Sequence, residues 1–169
     1  MYYLMVRNDQ CNDHKIVIFK KVATVEKKTH SVKNNLLSSP EKRILWLSRT
    51  CDGSVHDKKI CDEQPLNLPD GITIWQDTGF MGHNPKNAQV KMPEKKPKGK
   101  ELTDEQKKNN KVISSFRIIV EHAICGVKKC RIVKDRIRCY KQGFEDLVML
   151  LACGLHNFRM SLKMCHIRI

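Results

Sequence analysis

Two carboxylates have the types and positions that suit metal-dependent chemistry. Asp77 directly follows the apolar stretch Ile72–Gln76, which we predict to be a strand. Glu121 lies among apolar residues in a long helical pattern. The C-terminal end of a strand in an α/β sheet is a common place for ligands, and Mg²⁺ takes oxygen ligands. A strand-end and a helical carboxylate together are therefore a candidate Mg²⁺ (or Mn²⁺) site for phosphodiester chemistry.

Glu121 and three other acidic or histidine residues also have ordinary structural interpretations. Arg117 precedes Glu121 by four residues, a spacing that allows an ion pair on one helix face. For Asp52 and Asp57 we favour a turn aspartate and a carboxylate at a helix N-terminus. His56 is a candidate phosphate donor or an ordinary surface histidine.

The chain carries a large positive charge, concentrated in two segments. Among its 169 residues, 32 Lys and Arg outnumber 18 Asp and Glu, which gives a formal net charge of +14. The excess points to a polyanionic partner, and we expect double-stranded DNA. The charge lies mainly in Met92–Lys100 and Lys128–Lys141, and the alternative is that both are merely solvated surface. The residues that we predict to contact DNA are Lys91, Lys95, Lys96, Lys98, Lys100, Arg117, His122, Lys128, Lys129 and Arg131.

Composition excludes several other classes of protein. The apolar fraction of 40% is enough for one core. The apolar run Leu147–Cys153 is far shorter than the roughly 20 residues that span a bilayer. No signal-peptide pattern follows Met1, so we expect a cytoplasmic protein without a membrane partner. The eight cysteines form no C-x-x-C pair, which favours reduced thiols over a zinc site.

The predicted elements that position these residues form an α/β fold with one mixed sheet. Thr103 and Gln106 have the spacing of a capping box at the start of a long helix. The predicted strands are Lys15–Val25, Lys28–Leu37, Ile44–Ser48, Ile72–Gln76 and Gln89–Met92; the predicted helices are Val55–Gln64, Asp104–Lys128 and Phe144–Leu162; and Lys128–Lys141 is predicted to be partly extended.

From Lys27 to Lys163 the sequence resembles the transposases of DDE-type bacterial insertion sequences, in the branch related to eukaryotic Harbinger elements. The resemblance covers about four-fifths of the chain, and its motifs occur in the family's order. The matching segments are KKTHSVKNNLL from Lys27, DGSVHDKKI from Asp52, ITIWQDTGFMG from Ile72, the basic stretch Pro93–Thr103, ISSFRIIVEHAICGVKKCRIVKDRIR from Ile113 and GFEDLVMLLACGLHNFR from Gly143.

The resemblance implies a fold, a chemistry and two site residues. The fold would be an RNase H-like mixed sheet with flanking helices. The activity would be Mg²⁺-dependent cutting and joining of element ends, in which water and then a DNA 3′-hydroxyl attack a phosphodiester. The family's second catalytic aspartate corresponds to Asp77, and its catalytic glutamate corresponds to Glu121.

The N-terminus departs from the family pattern. The family's first catalytic aspartate lies in an Asp-Gly-Thr-type motif on the first strand, and no such motif precedes Lys27. Permitted codons for Tyr3–Gln10, read from the third base, encode F-D-G-T-E-R-P, which suits the family at this place. We therefore expect residues 1–26 to be an out-of-frame or non-native segment, and 27–169 to be a partial DDE catalytic domain whose first strand is incomplete or replaced.

These features predict a transposase fragment that is inactive alone, because one of three carboxylates is missing. The alternative is a catalytically dead DNA-binding remnant, or a regulator that pairs with full-length transposase. Besides DNA, the expected partners are a second copy of the chain, in a homo-oligomer, or full-length transposase. A third interpretation is a programmed frameshift that supplies the aspartate from upstream.

Overall fold

The computed structural model describes residues 16–23, 31–64, 66, 68–96, 99, 101–135, 137–139 and 141–166, with the backbone alone for 16–23 and 164–166. Within these ranges the chain forms six strands, three α-helices and two short 3-10 turns. They are β1 (Ile16–Ala23), β2 (Val32–Ser38), β3 (Ile44–Leu47), β4 (Cys51–Asp52), α1 (Asp57–Glu63), β5 (Ile72–Gln76), the turn Thr78–Phe80, β6 (Ala88–Lys91), α2 (Asp104–Val127), the turn Arg131–Val133 and α3 (Phe144–His166).

The strands form one mixed sheet in the order β3-β2-β1-β5-β6, with β4 paired to β2. The pairs β1–β2, β2–β3 and β2–β4 are antiparallel. The pairs β1–β5 and β5–β6 are parallel. The predicted α/β fold with a mixed sheet is therefore confirmed, and β1 occupies a central position in it.

Helices cover both faces of the sheet, because side chains alternate along the strands. Leu36 packs in a core cluster with α2 and α3. Its neighbour Leu37 packs in a second cluster with Ile74 and Phe80, to which α1 contributes Cys61. The sheet thus has α2 and α3 on one face and α1 on the other.

Most of the predicted elements are confirmed, with shifted ends. The capping box is present, since Thr103 Oγ1 accepts from the backbone N of Gln106, and Gln106 Oε1 accepts from the backbone N of Thr103. The first short helix begins at Asp57 rather than Val55, because His56 takes an extended conformation and caps it.

The segment Lys128–Lys141 was predicted to be partly extended, and Cys130 within it is extended, with φ −70° and ψ 102°. The described part of the segment otherwise contains the 3-10 turn Arg131–Val133 and forms no strand. The turn buries Val133 completely in the cluster shared with α2 and α3, and this tertiary contact outweighs the β-propensity of the isoleucine and valine residues.

The predicted out-of-frame segment, residues 1–26, is described only in part. Its residues 1–15 and 24–26 lie outside the described ranges. The remaining stretch supplies β1, which confirms a strand within the range Lys15–Val25.

Candidate functional site

Asp77 lies at the C-terminal end of β5, on the face of the sheet that α2 covers. Trp75, two residues earlier, packs against the α2–α3 core cluster, and alternate residues of extended backbone share a face. Asp77 is itself extended, with φ −79° and ψ 161°. Its Oδ1 accepts a hydrogen bond of 2.8 Å from the backbone N of Thr78, which caps the following 3-10 turn. The turn therefore holds one oxygen of this carboxylate in place.

An aromatic contact brings α2 to this end of the strand. Phe116 stacks on Trp75 with ring centroids 4.9 Å apart and an interplanar angle of 21°. Polar residues lie next to the stack in both elements: Asp77 follows Trp75 by two residues on the same face of the sheet, and Arg117 follows Phe116 directly. The stack thus sets the separation between the end of β5 and the middle of α2.

Arg117 lies between the two predicted carboxylates. Its Nη2 is 3.9 Å from Oδ2 of Asp77. Its Nε is 3.4 Å from Oε1 of Glu121, one helical turn further along α2. The structure therefore brings Asp77 and Glu121 to one place, joined through the guanidinium that the i, i+4 spacing predicted as a partner of Glu121.

This arrangement is at the surface. The exposed fractions of the side chains are 33% for Asp77, 48% for Glu121 and 56% for Arg117. Ion pairs with this much exposure stabilise a fold by at most about 1 kcal/mol. The three groups therefore contribute little to folding and stay accessible to ions and to a bound polyanion.

The side chains at this place have some of the features of a binding site for a divalent cation. Asp77 and Glu121 supply carboxylate oxygens, which are the ligands that Mg²⁺ and Mn²⁺ prefer. Arg117 lies between them with the same sign of charge as the cation. Among the residues that the structure describes, no group of three or more His, Cys, Asp or Glu side chains could hold a metal ion. Within the described residues, Asp77 and Glu121 are therefore the two carboxylates that meet at Arg117.

Lys91 adds a positive charge at the edge of this site. It pairs with Trp75 across the parallel strands β5 and β6. Its Nζ lies 5.1 Å from the centroid of the Trp75 ring, which is a cation–π distance. This predicted DNA-contacting residue is exposed and lies next to the aromatic stack.

The basic loop after β6 is attached to α2. The backbone N of Glu94 donates to Oδ1 of Asn110, and Nδ2 of Asn110 donates to the carbonyl oxygen of Glu94, both at 3.0 Å. Lys95 and Lys96 follow this anchor and are exposed. The remaining predicted lysines of the loop, Lys98 and Lys100, lie outside the described residues.

The other predicted DNA-contacting residues belong to the second half of α2 and to the segment after it. His122, Lys129 and Arg131 are exposed, and Lys128 is half-buried. Arg131 is 3.8 Å from Asp135 in an exposed ion pair. These positive groups therefore lie along, or just after, the helix that carries Glu121.

A buried polar cluster supports β5 from the opposite face, and sequence reasoning missed it. Lys33 Nζ lies 2.7 Å from Oδ1 of Asp57, with only 4% and 16% of these side chains exposed. Oδ2 of Asp57 lies 3.0 Å from where a Cβ on Gly79 would be, so glycine permits the close approach. Asn35 donates to the backbone oxygen of Asp57, and the buried amide of Gln76 has no hydrogen-bond partner among the described residues. Lysine is rarely buried, so its residue type gave no signal.

The structural interpretations of the remaining acidic and histidine candidates are confirmed. Asp57 lies in the first turn of α1. His56 caps the same helix, and its Nδ1 accepts from the backbone N of Lys58 at 3.3 Å. Asp52 ends β4 and is followed by a turn.

The described cysteines are free thiols, as predicted. Burial raises the pKa of Cys61 to about 12 and that of Cys153 to about 12. Both therefore stay protonated and unreactive at neutral pH. In the part of the chain that the structure describes, no helix has the length and apolar character needed to cross a membrane.

Comparison with known proteins identifies a matching family and a related protein. The sequence profile of the family described as DDE superfamily endonuclease matches residues 20–157. The chain is 30% identical over 111 residues to a protein from Microchaete diplosiphon named "Probable transposase for insertion sequence element IS702". The aligned part covers 66% of this chain and 40% of that protein, so the chain spans about two fifths of the length of this relative. No solved structure matches.

Proposed function

The chain belongs to the DDE superfamily endonuclease family, and from this membership we propose that it is part of the catalytic domain of an insertion-sequence transposase. In its intact form such a domain would cut and join DNA at the ends of the element. The observation that carries the proposal is the convergence of Asp77 and Glu121 on Arg117. The Harbinger-related branch and the RNase H-like fold are part of the same proposal, and the mixed sheet with helices on both faces supports the latter.

In this proposal Asp77 and Glu121 hold Mg²⁺ or Mn²⁺. When bound, such ions activate an attacking oxygen and stabilise a leaving oxygen in phosphodiester chemistry. The turn after β5 fixes Asp77, and the Trp75–Phe116 stack fixes its distance from α2. Arg117 forms an ion pair with each of the two carboxylates.

The exposed basic residues near the site would bind the DNA backbone. Lys91, Lys95 and Lys96 lie beside β5 and the first half of α2, whereas Lys129 and Arg131 follow its C-terminal end. Phosphate contacts of this kind position a duplex without reading its sequence. The proposed partner is therefore double-stranded DNA, bound with strong salt dependence.

The third carboxylate would come from the first strand of an intact relative. Phe19 of β1 pairs with Gln76 of β5, so the next position, Lys20, lies level with Asp77 in the register. We propose that residues 1–26 are translated out of frame and that β1 occupies the place of a strand that carries an aspartate. The match to the family begins at residue 20, which leaves residues 1–19 outside it and includes residues 20–26. The nucleotide sequence upstream of Met1 tests this idea, which fails if the alternate frame encodes no Asp-Gly-Thr-like motif.

A direct experiment adds the missing ligand. The Lys20→Asp variant should bind Mn²⁺ more tightly than the parent chain, as measured by titration followed by electron paramagnetic resonance. Lys21→Asp places the same charge change one residue away from that register position and serves as the matched control. Equal Mn²⁺ affinity for both variants would contradict the proposed metal site.

The chain alone should cleave DNA poorly or not at all, because it offers two carboxylates. Supercoiled plasmid incubated with the chain and Mn²⁺ should stay intact. A nicking activity that disappears in Asp77→Ala would show instead that the site is complete without the upstream motif.

A catalytically dead DNA-binding remnant or a regulator of full-length transposase is the second candidate. It is favoured by the absence of a third ligand in the described residues together with the exposed basic groups. Salt-sensitive duplex binding that is unchanged in Glu121→Gln and in the absence of Mg²⁺ would support it. A longer fused product in cells would favour a programmed frameshift over both.

A further inference from the structure

Helix α3 carries large apolar side chains on two sides. One side packs in the core through Val148, Met149, Ala152 and Cys153. The other side leaves five large apolar residues between 48% and 63% exposed. We call them the α3 outer stripe: Leu147, Leu151, Leu155, Phe158 and Leu162. Steps of four, four, three and four residues place them on one side of the helix, over about 22 Å at 1.5 Å per residue.

The α3 outer stripe has no charged residue within it. The residues that flank it are Gly154, Ser161 and Leu150 along one edge and Val148 and Arg159 along the other. The guanidinium of Arg159 donates a hydrogen bond to the carbonyl oxygen of Gly126. A Cβ at Gly154 would meet nothing within 4 Å, so the helix backbone is open at the middle of the stripe. In a chain with a net charge of +14, this uncharged surface is unsuited to DNA. Continuous apolar patches rimmed by polar residues mark sites of protein association.

The spacing of the stripe is complementary to itself. Leu147 and Leu162 lie equally far from the midpoint between Gly154 and Leu155, and so do Leu151 and Phe158. A second α3 that runs in the opposite direction, with its own midpoint opposite, would therefore place Leu147 against Leu162 and Leu151 against Phe158. Because glycine has no side chain and the space beside Gly154 is open, the two helices could approach closely there.

We propose that the α3 outer stripe is a dimer interface on which a second copy of this chain docks with its α3 antiparallel. Two-fold pairing needs one surface that complements itself, and the stripe has that property. The stripe also continues past residue 157, where the match to the family ends. The proposal does not depend on the proposed function.

The interface would be small. Five half-exposed side chains leave roughly 300–500 Å² per copy, so that two copies bury up to about 1,000 Å². This area is at the lower end for specific complexes. The dimer should therefore form at micromolar or higher concentrations and dissociate on dilution.

Sedimentation velocity over a range of concentrations of the full chain tests the association. The parent chain should shift from monomer to twice that mass as concentration rises. Leu155→Glu should stay monomeric at every concentration, because it puts two like charges beside the two-fold axis. Val112→Glu is the matched control, since Val112 is an exposed apolar residue (48%, against 60% for Leu155) that lies on α2, and this variant should dimerise like the parent. Circular dichroism checks that both variants remain folded.

Disulfide cross-linking tests the orientation. Leu155→Cys should form a covalent dimer with itself on oxidation, because two copies of this position meet near the axis. Leu147→Cys alone should not, whereas a mixture of Leu147→Cys and Leu162→Cys should. The parent chain, oxidised in parallel, reports any linkage through its native cysteines.

Three outcomes would overturn the proposal. A parent chain that stays monomeric at every concentration would show that the stripe accepts another occupant or none. A dimer that survives Leu155→Glu would place the interface elsewhere. Self-cross-linking of Leu147→Cys would indicate parallel helices.

Discussion

The rings of Trp75 and Phe116 stack with their centroids 4.9 Å apart, and this contact joins the strand that carries Asp77 to the helix that carries Glu121. Both rings are only partly buried and pack at the edge of the α2–α3 core cluster. The separation of the two carboxylates therefore depends on one aromatic pair as well as on the backbone of each element.

The stack should contribute measurably to stability. Trp75→Leu and Phe116→Leu should each lower the free energy of unfolding, and a double-mutant cycle should give a coupling energy of about 0.5–1.5 kcal/mol. Urea denaturation of the four proteins measures it. Additive effects of the two substitutions would mean that the ring contact itself has no stabilising role.

Arg117 should compete with a divalent cation for the two carboxylates. Replacing it with alanine should tighten Mn²⁺ binding about thirty-fold, since a unit positive charge some 4 Å from a divalent ion in a water-like environment repels it by about 2 kcal/mol. Arg131→Ala removes a comparable exposed arginine, which pairs with Asp135 away from the site, and should leave Mn²⁺ affinity unchanged. Unchanged or weaker binding in Arg117→Ala would contradict the competition.

The buried pair of Lys33 and Asp57 should be important for folding. Lys33→Met should lower the free energy of unfolding by about 3–5 kcal/mol, because it leaves the carboxylate buried without its partner. Lys58→Met breaks an exposed pair of similar length, 2.9 Å, and should cost less than about 1 kcal/mol. Denaturant titrations compare the two, and equal losses would show that burial does not distinguish these pairs.

The sequence was informative where a feature depends on neighbours in the chain. The apolar stretch Ile72–Gln76, the capping box at Thr103 and the i, i+4 spacing of Arg117 and Glu121 are local patterns, and each is confirmed. Features that join distant segments were not predictable in this way. The stack of Trp75 on Phe116 and the burial of Val133 depend on how α2 and the turn after it pack against the rest of the fold.

The sequence also did not distinguish the buried side of helix α3 from its exposed side. The many apolar residues of the predicted helix Phe144–Leu162 are typical of a helix that packs in a core, and Val148 and Ala152 do so. The composition did not separate them from Leu151 and Leu155, because all four are apolar and only the packed structure distinguishes the two sides.

His156 should make stability dependent on pH. Burial lowers its pKa below 6.5; the carbonyl of Lys42, which accepts from Nε2 at 2.7 Å, opposes this shift, and the positive charges of Arg159, Lys129 and Lys163 reinforce it. The unfolded chain thus takes up the proton first, so stability should be constant above about pH 6.5 and fall as the pH decreases below it.

The urea midpoint of unfolding, compared at pH 7.5 and pH 5.5, measures this effect of His156. These two values lie about one pH unit above and below the pKa of histidine in the unfolded chain. His156→Gln should show a smaller loss on acidification than the parent chain. His122→Gln replaces an exposed histidine and should keep the full loss. If His156→Gln and the parent lose the same stability, His156 does not titrate in this range.

The lysines of the anchored loop should contribute to duplex binding. Lys95→Ala with Lys96→Ala should reduce the magnitude of the slope of log affinity against log salt by up to about 2, roughly one for each phosphate that the variant no longer neutralises. Fluorescence anisotropy with a random-sequence duplex at several salt concentrations measures the slope. Lys59→Ala on α1, across the sheet, should leave it unchanged; equal slopes for all three proteins would exclude the loop from the DNA interface.

The central place of β1 has a consequence for synthesis on the ribosome. Its antiparallel partner β2 follows at once in the chain, but Ile16 pairs with Thr73 and Phe19 with Gln76. At roughly 5–20 residues per second, the β1–β2 hairpin emerges some seconds before β5 exists. During that time one backbone edge of β1 is unpaired, as in the strands through which nascent chains aggregate. The order of translation therefore gives this protein an interval in which a chaperone that shields extended segments would raise its yield.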